Sequence, residues 1–379
     1  MHGPLTERLS QELDERRRNG LLRIIPEHRP HLIDLSTNSY LALHLNTEVA
    51  AEAQRLAGTA LHGNLASRLI SETSPLAAEL EAELAAWKKT EAALLFNSGY
   101  TANIGILQAI ATRDTEVFCD RLNHASIIDG LRLSGCRLRR YRHCNMADLK
   151  RLLAASKAKE KIIVTDTVFS MDGDCAPLAD IVECAQNFGC CVMVDEAHAT
   201  GVFGKNAGGL ADELGVADVI DIRMGTLSKA VAGVGGFFAG SALLRDYLVN
   251  HARSLIYSTG LPHAAVAFDL AAVRHIRAHA KMGHELLEKA RLFREKLRSL
   301  GFDTLASNTQ IVPCRTGSDA EAVSLAAFLY DRGILAPAIR PPTVPKGSAR
   351  VRFSVHSGFT GKQEDSVITA LKEWKCLNG

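Results

Sequence analysis

Nothing in this chain spaces cysteine for a staple or a metal. The nine cysteines are odd in number and scattered, with no C-x-x-C pair and one adjacent pair, Cys190-Cys191. That pattern argues against a disulfide framework and a zinc site and predicts a reducing compartment. No His/Cys/carboxylate cluster has ligand spacing, so no metal is expected. One-sided charge is lacking as well: 44 Lys and Arg oppose 42 Asp and Glu, a net of +2. Neither nucleic acid nor an anionic membrane is therefore expected as the main partner. Two local basic runs, Arg16-Arg17-Arg18 and Arg137 to Arg142, read first as solvated faces, with contact to an anionic substrate tail as the alternative. The longest uncharged stretch, Ala230 to Leu244, is too short and too rich in glycine to cross a bilayer. The amino-terminal residues carry Glu7, Glu12 and arginines where a secretory signal would be apolar. These absences predict a soluble, cytoplasmic protein.

What is present suits a large globular fold. Of 379 residues, 47% are hydrophobic and 23% charged, enough for one large and one smaller domain. Residues 1–22 read as an amphipathic helix ending near Gly20, and His31 to Ser36 as a short strand. Ser74-Pro75 opens a helix, serine as cap and proline at its first position, with Leu76, Leu80, Leu84 and Trp87 on one face. Apolar runs at Ala92–Phe96, Glu116–Cys119, Lys161–Thr165, Cys190–Val194, Val219–Met224 and Gly235–Gly240 then alternate with helical patterns at Tyr100–Ala111, Ala147–Ala155 and Leu178–Phe188. Such alternation predicts an α/β domain with a mostly parallel sheet. From His263 one long helix is expected, then a smaller α+β region with strands near Thr309–Cys314 and Ala349–Val355. The expected division is 1–43 (helix and short strand), 44–277 (large α/β domain) and 278–379 (small α+β domain).

In open α/β sheets, ligands collect at the carboxyl ends of the strands. Three polar groups follow such ends here. Cys191-Val-Met-Val-Asp195 closes on a carboxylate, with Glu196 and His198 next. Val219 to Met224 runs into Gly225-Thr-Leu-Ser-Lys-Ala230. Leu94-Leu-Phe-Asn97 runs into Ser98-Gly99-Tyr100 and a helix. A strand-end lysine among small and hydroxyl residues can form a Schiff base with an aldehyde. A buried aspartate can keep a pyridine nitrogen protonated and make the ring an electron sink. A Ser-Gly turn opening a helix offers free amides to a phosphate. Together they suit pyridoxal 5′-phosphate (PLP) on Lys229. Two other readings fail: Asp195-Glu-Ala-His198 comes without the phosphate loop that an NTPase needs, and the run Gly233 to Gly240 lacks G-x-G-x-x-G spacing.

These segments resemble the α-oxoamine synthases, a branch of the fold-type I (aspartate aminotransferase-like) PLP enzymes. The likeness runs in order through Leu94–Asn103, Asp120-Arg-Leu-Asn-His-Ala-Ser126, Val168-Phe-Ser-Met-Asp-Gly-Asp174, Val194-Asp-Glu-Ala-His-Ala-Thr-Gly201, Gly225–Ala230, Tyr257-Ser-Thr-Gly260 and Ile339-Arg-Pro-Pro-Thr-Val-Pro345. It covers nearly the whole chain. The last segment most resembles the branch that condenses L-alanine with a pimeloyl thioester, on coenzyme A or an acyl carrier protein. The sister activity would use glycine and another acyl-CoA.

The resemblance implies roles. Lys229 would hold the cofactor and remove the amino acid's α-proton. Asp195 would pair with the pyridine nitrogen, His198 with the 3′ oxygen, and His124 would stack on the ring and help position substrate. Gly99 and Tyr100 would give backbone donors, with Ser170 and Thr226 as hydroxyl contacts. Thr259, in a segment like the one lent to a partner's phosphate site, implies a homodimer with shared active sites. Arg352 would hold the amino acid's carboxylate, although Arg350 alternates with it on the same strand. Arg23 and Thr343 would contact the acyl substrate. The chain departs from the family pattern at Gly63-Asn-Leu-Ala-Ser-Arg68, at Asp166 where glutamate is usual, and at Ser357-Gly358-Phe359. All three bear on the acyl pocket more than on the reaction.

Overall fold

The computed structural model describes residues 3–23, 25, 31–58, 63–70 and 74–378. In chain order the strands are β1 (Ile33–Asp34), β2 (Ala92–Phe96), β3 (Thr115–Asp120), β4 (Arg137–Tyr141), β5 (Glu160–Asp166), β6 (Cys191–Asp195), β7 (Ile222–Thr226), β8 (Gly236–Gly240), β9 (Ile311–Gly317), β10 (Ile334–Leu335), β11 (Ala338–Ile339) and β12 (Ala349–Ser354). Seven form one sheet in the order β2-β8-β7-β6-β5-β3-β4. Only β8 runs antiparallel to its neighbours. The carboxyl ends of the other six strands therefore share one edge.

Both faces of this sheet are covered, as mostly parallel sheets require. Leu95, Phe118, Ile163, Val194 and Phe237 enter one apolar core. Their neighbours Leu94, Val117, Ile162, Met193, Met224 and Phe238 enter a second core on the opposite face. The period-two alternation of side chains divides them. Continuous apolar runs such as Ile162 to Val164 are thus buried on both sides, which is why they read as uninterrupted.

The smaller region carries a three-stranded antiparallel sheet, β11-β12-β9, and a parallel pair, β1 with β10. The amino-terminal segment is tied to it, since Ser354 and Ser357 donate backbone N–H groups to the carbonyls of Leu35 and Tyr40.

Several local expectations need adjustment. The opening helix, α1, covers Pro4–Arg18; residues 1 and 2 of its expected span lie outside the described residues. Ser74 does precede the next long helix, Pro75–Lys88, but its hydroxyl makes no capping bond. The long helix expected from His263 is two helices, His263–Ala278 and Lys281–Ser299. His279, at φ −123° and ψ 44°, leaves helical geometry, while the apolar periodicity resumes beyond it. The expected boundary at 277/278 falls at the end of the first of these two. Val219–Met224 is a strand only from Ile222, with Ala217–Val219 a short 3-10 turn. Finally, the basic run at Arg137 is the edge strand β4. Its arginines stay exposed while Tyr141 is buried, and a charged edge discourages further strand pairing. Among the described residues no helix is long and apolar enough to cross a membrane.

Candidate active site

The carboxyl ends of β2, β5, β6 and β7 surround a cavity of about 240 Å³. Gly99 and Tyr100 reach it from the turn after β2, and His124 from the turn after β3. Ser170 comes from the loop after β5, Asp195 and His198 from the end of β6, and Thr226 and Lys229 from the end of β7. Eight of the twelve residues singled out in the sequence therefore converge on one space.

The floor is a buried carboxylate. Asp195 accepts from the Asn103 side-chain amide at 2.8 Å through Oδ2 and from the Ala197 N–H at 2.8 Å through Oδ1. Asn103, fully buried in the helix Gly99–Ile110, also donates to Ser126 Oγ at 2.9 Å. Ser126 in turn meets His124 Nδ1 at 2.7 Å. His124 is thereby held at the exposed rim, near the ring of Tyr100 at 6.3 Å and 82°. Burial lowers the His124 pKa, with the charge of Asp195 opposing.

Lys229 Nζ lies 2.9 Å from His198 Nε2. His198 Nδ1 is 2.7 Å from Tyr40 Oη, and Tyr40 donates its hydroxyl to Asn38 Oδ1 at 3.1 Å. The run of donors assigns the histidine proton to Nδ1 and leaves the Nε2 lone pair toward Lys229. Burial holds His198 well below the usual histidine range, and the nearby charges of Lys229 and Arg352 act in the same direction. The Lys229 amine is pushed down to about 8, chiefly by burial, with Asp195 and Asp166 opposing. An unprotonated amine is accordingly accessible near neutral pH, which nucleophilic and base chemistry both require.

The helix start at Gly99 is built to face a ligand. Ser98 and Thr101 cap it reciprocally, which occupies the Thr101 amide and leaves the Gly99 and Tyr100 amides at the cavity. A Cβ on Gly99 would sit 3.2 Å from Thr226 Cβ, so glycine permits the approach of β7. Thr226 Oγ1 donates to the Gly235 carbonyl at 2.7 Å and lies 3.0 Å from Ser228 Oγ. Amides at a helix amino terminus, hydroxyls, a buried carboxylate opposite, and a lysine between them form a donor set that fits PLP.

Four expected residues do not line the cavity. Arg352 is buried next to it, donating to the Ser170 carbonyl at 2.6 Å, Ser354 Oγ at 2.7 Å and Asn38 Oδ1 at 3.1 Å. It makes no ion pair with a carboxylate among the described residues, whereas Arg350 is paired with Asp172 at 2.6 Å. Of the two alternating arginines, Arg352 is thus the one without a carboxylate partner among the described residues. Arg23 and Thr343 meet each other, Nη2 to Oγ1 at 3.3 Å, on the exposed surface. Thr259 is exposed, its carbonyl accepting from Asn97 Nδ2 at 2.6 Å.

Other residues were not foreseen. Asn38, Tyr40, Asn103 and Ser126 all support the site. The polar run Ser36-Thr-Asn-Ser-Tyr40 after a strand, and one amide on the apolar face of a helix, were the available signals. The structure also gathers Asp120, His143 and Cys144 within 4.8 Å, a cluster that sequence spacing hid. His143, however, sits between two carboxylates, Asp120 at 3.0 Å and Asp174 at 2.8 Å. Against the opposing effect of burial these bonds raise its pKa to about 12. A doubly bonded imidazolium offers no lone pair to a metal, so it acts as a clamp on the loop that carries Ser170.

Comparisons with known proteins agree with this geometry. The family model described as aminotransferase class I and II matches residues 30–371. An 8-amino-7-oxononanoate synthase of Citrifermentans bemidjiense is 45% identical over 363 residues, covering 91% of this chain and 92% of that protein. The one from Trichlorobacter lovleyi is 42% identical and covers 96% of each. Among solved structures, Sphingomonas wittichii serine palmitoyltransferase is 26% identical, covers 99% of each chain and superposes with a TM-score of 0.93. A Francisella tularensis 8-amino-7-oxononanoate synthase is 25% identical, covers 92% of this chain and 99% of that one, and has a TM-score of 0.79. The chain belongs to the aminotransferase class I and II family of PLP-dependent fold-type I enzymes, within its α-oxoamine synthase branch and most like the 8-amino-7-oxononanoate synthases.

Proposed function

We propose that this chain condenses L-alanine with a pimeloyl thioester to give 8-amino-7-oxononanoate, CO2 and free thiol, a step of biotin biosynthesis. The observation that carries the reading is Lys229, an amine of lowered basicity held 2.9 Å from His198 beside the buried Asp195. PLP, when bound, supplies the electron sink that lets a proton leave carbon next to a carboxylate.

Lys229 Nζ would hold the cofactor aldehyde, and when released accept the α-proton of alanine. Asp195, oriented by Asn103 and the Ala197 amide, would keep the pyridine nitrogen protonated. His198 would meet the 3′ oxygen, its ring held from behind by Tyr40. Gly99 and Tyr100 would give their amides to the phosphate, with Ser170 and Thr226 as hydroxyl contacts. His124 would cover the ring from the rim and limit water. Arg352 and Asn38 would bind the alanine carboxylate through the two-pronged guanidinium geometry. Arg23 and Thr343, already joined, would guide the acyl chain on entry.

We also read the active form as a homodimer. The exposed Thr259 segment, with Arg253 stacked 4.8 Å over Tyr257, lies on the surface as a group lent to a partner's phosphate site would. Light scattering that gives a stable, active monomer contradicts this.

The test of function is a product assay with alanine, glycine and serine against pimeloyl, acetyl, succinyl and palmitoyl thioesters. Alanine with pimeloyl thioester should give the highest kcat/KM. Preference for glycine with a short acyl-CoA would move the chain to the sister activity.

A further inference from the structure

At the opposite end of β7 from Lys229, Arg223 is 2% exposed. Its Nε is buried without a hydrogen-bond partner. Three carboxylates act on it electrostatically, Glu196, Asp212 and Asp218. Two of them are already taken: Lys88 holds Glu196 at 2.8 Å, and Lys89 holds Asp212 at 3.0 Å. The buried cations Lys88 and Arg223 therefore share one buried carboxylate. Buried polar groups are normally satisfied, and a guanidinium has five N–H donors in a planar fork.

Arg223 lies against a second cavity, of about 320 Å³, separate in its lining from the one at Lys229. The rim carries more negative than positive charge, with Glu91, Asp218 and Asp221 exposed against one cation, Lys89, which is paired with Asp212. Glu91 spends only Oε2, on the Ala242 N–H at 2.9 Å. The Ser241 hydroxyl accepts from the Leu244 N–H and keeps its own hydrogen to donate. A dianion would be repelled by this rim, whereas a monocarboxylate carrying a positive group would meet complementary charge at both ends.

We propose that this cavity binds a small zwitterion, its carboxylate on the Arg223 fork and its ammonium between Glu91 and Asp218, at a site distinct from the catalytic one.

The test uses the PLP-loaded protein, so that the catalytic phosphate cradle is filled. N,N-dimethylglycine is the probe, because a tertiary amine cannot react with the cofactor aldehyde; acetate and inorganic phosphate serve as controls. Calorimetry should show saturable one-to-one binding of dimethylglycine, tighter than either control and not displaced by alanine. Arg223→Gln should weaken it at least tenfold with cofactor absorbance and turnover unchanged. Asp218→Asn, an exposed change, should weaken dimethylglycine and leave acetate alone, and it decides the matter if Arg223→Gln does not fold. No saturable binding, displacement by alanine, equal binding by both variants, or tighter binding of phosphate would each overturn the proposal.

Discussion

Asp166 and Asp195 stand side by side at the ends of neighbouring parallel strands, and they accept different numbers of hydrogen bonds. Asp195 receives two N–H donors, Asn103 and Ala197. Asp166 receives one, the His124 backbone amide at 2.8 Å. Burial first, and then repulsion from Asp195, push Asp166 well above the usual carboxylate range, the expected outcome for two like charges at one site.

Asp166→Asn copies the protonated form and keeps an oxygen for the His124 amide. Cofactor binding and turnover should stay close to wild type. Asp195→Asn should cost about 100-fold or more in turnover, the scale of losing one preorganised electrostatic contact. The raised pKa of Asp166 also has a consequence for stability. Its contribution is full below the ordinary value of about 4 and is lost as pH rises toward the folded value. Apo Asp166→Asn should therefore gain melting temperature relative to wild type at pH 8 compared with pH 4. Parallel melting curves of the two proteins would refute this.

Lys229 titrates in the opposite sense. Its folded pKa is lowered to about 8, so between there and the ordinary value of about 10.4 the unfolded chain binds more protons and stability rises with pH. Lys229→Met should remove that rise. The rate at which apo-protein takes up PLP should climb through pH 8 and then level as the free amine saturates. Stopped-flow absorbance from pH 6.5 to 9.5 measures this, and a rate independent of pH would count against the amine as the reacting group.

The two arginines of β12 should separate cleanly. Arg352→Gln removes the one not paired to a carboxylate, so KM for alanine should rise by roughly 10- to 100-fold, the equivalent of about 1.5–3 kcal/mol for a charge-assisted bond. Cofactor absorbance should not change. Arg350→Gln breaks the pair with Asp172 and should lower the melting temperature with little effect on KM. Steady-state kinetics beside thermal melts would expose a reversed assignment.

Most of the site was readable because it is local. Asp195, Lys229 and Gly99 each follow an apolar run within a few residues, so strand ends announced them. What was not readable depends on distant segments meeting. Asn38 reaches Arg352 across 314 residues of chain and Arg23 reaches Thr343 across 320, and no local pattern encodes either approach. The break at His279 was invisible because the apolar period continues past it. Strand β4 was masked by its arginines, whose exposure is compatible with an edge and gives no alternation to detect.

The loop behind Lys229 gives a last expectation. Asp269, fully buried in helix His263–Ala278, accepts from the Val234 N–H at 3.1 Å through Oδ1. A Cβ on Gly233 would lie 1.7 Å from that same oxygen. The loop is tied back to the lysine, because Ala232 donates to the Lys229 carbonyl and Gly233 to that of Leu227. Burial raises Asp269 well above the usual carboxylate range, which favours the neutral carboxyl as the group that grips the loop. Asp269→Asn should then preserve both stability and PLP retention. Gly233→Ala should cost about 1–3 kcal/mol, as overpacking does, and should loosen PLP, since the displaced loop carries Lys229 with it. Combining Gly233→Ala with Asp269→Ala opens space for the methyl group, so the double variant should be more stable than the sum of the two single losses predicts. Urea melts of the four proteins test this, and strictly additive losses would show that the two side chains do not compete for the same space.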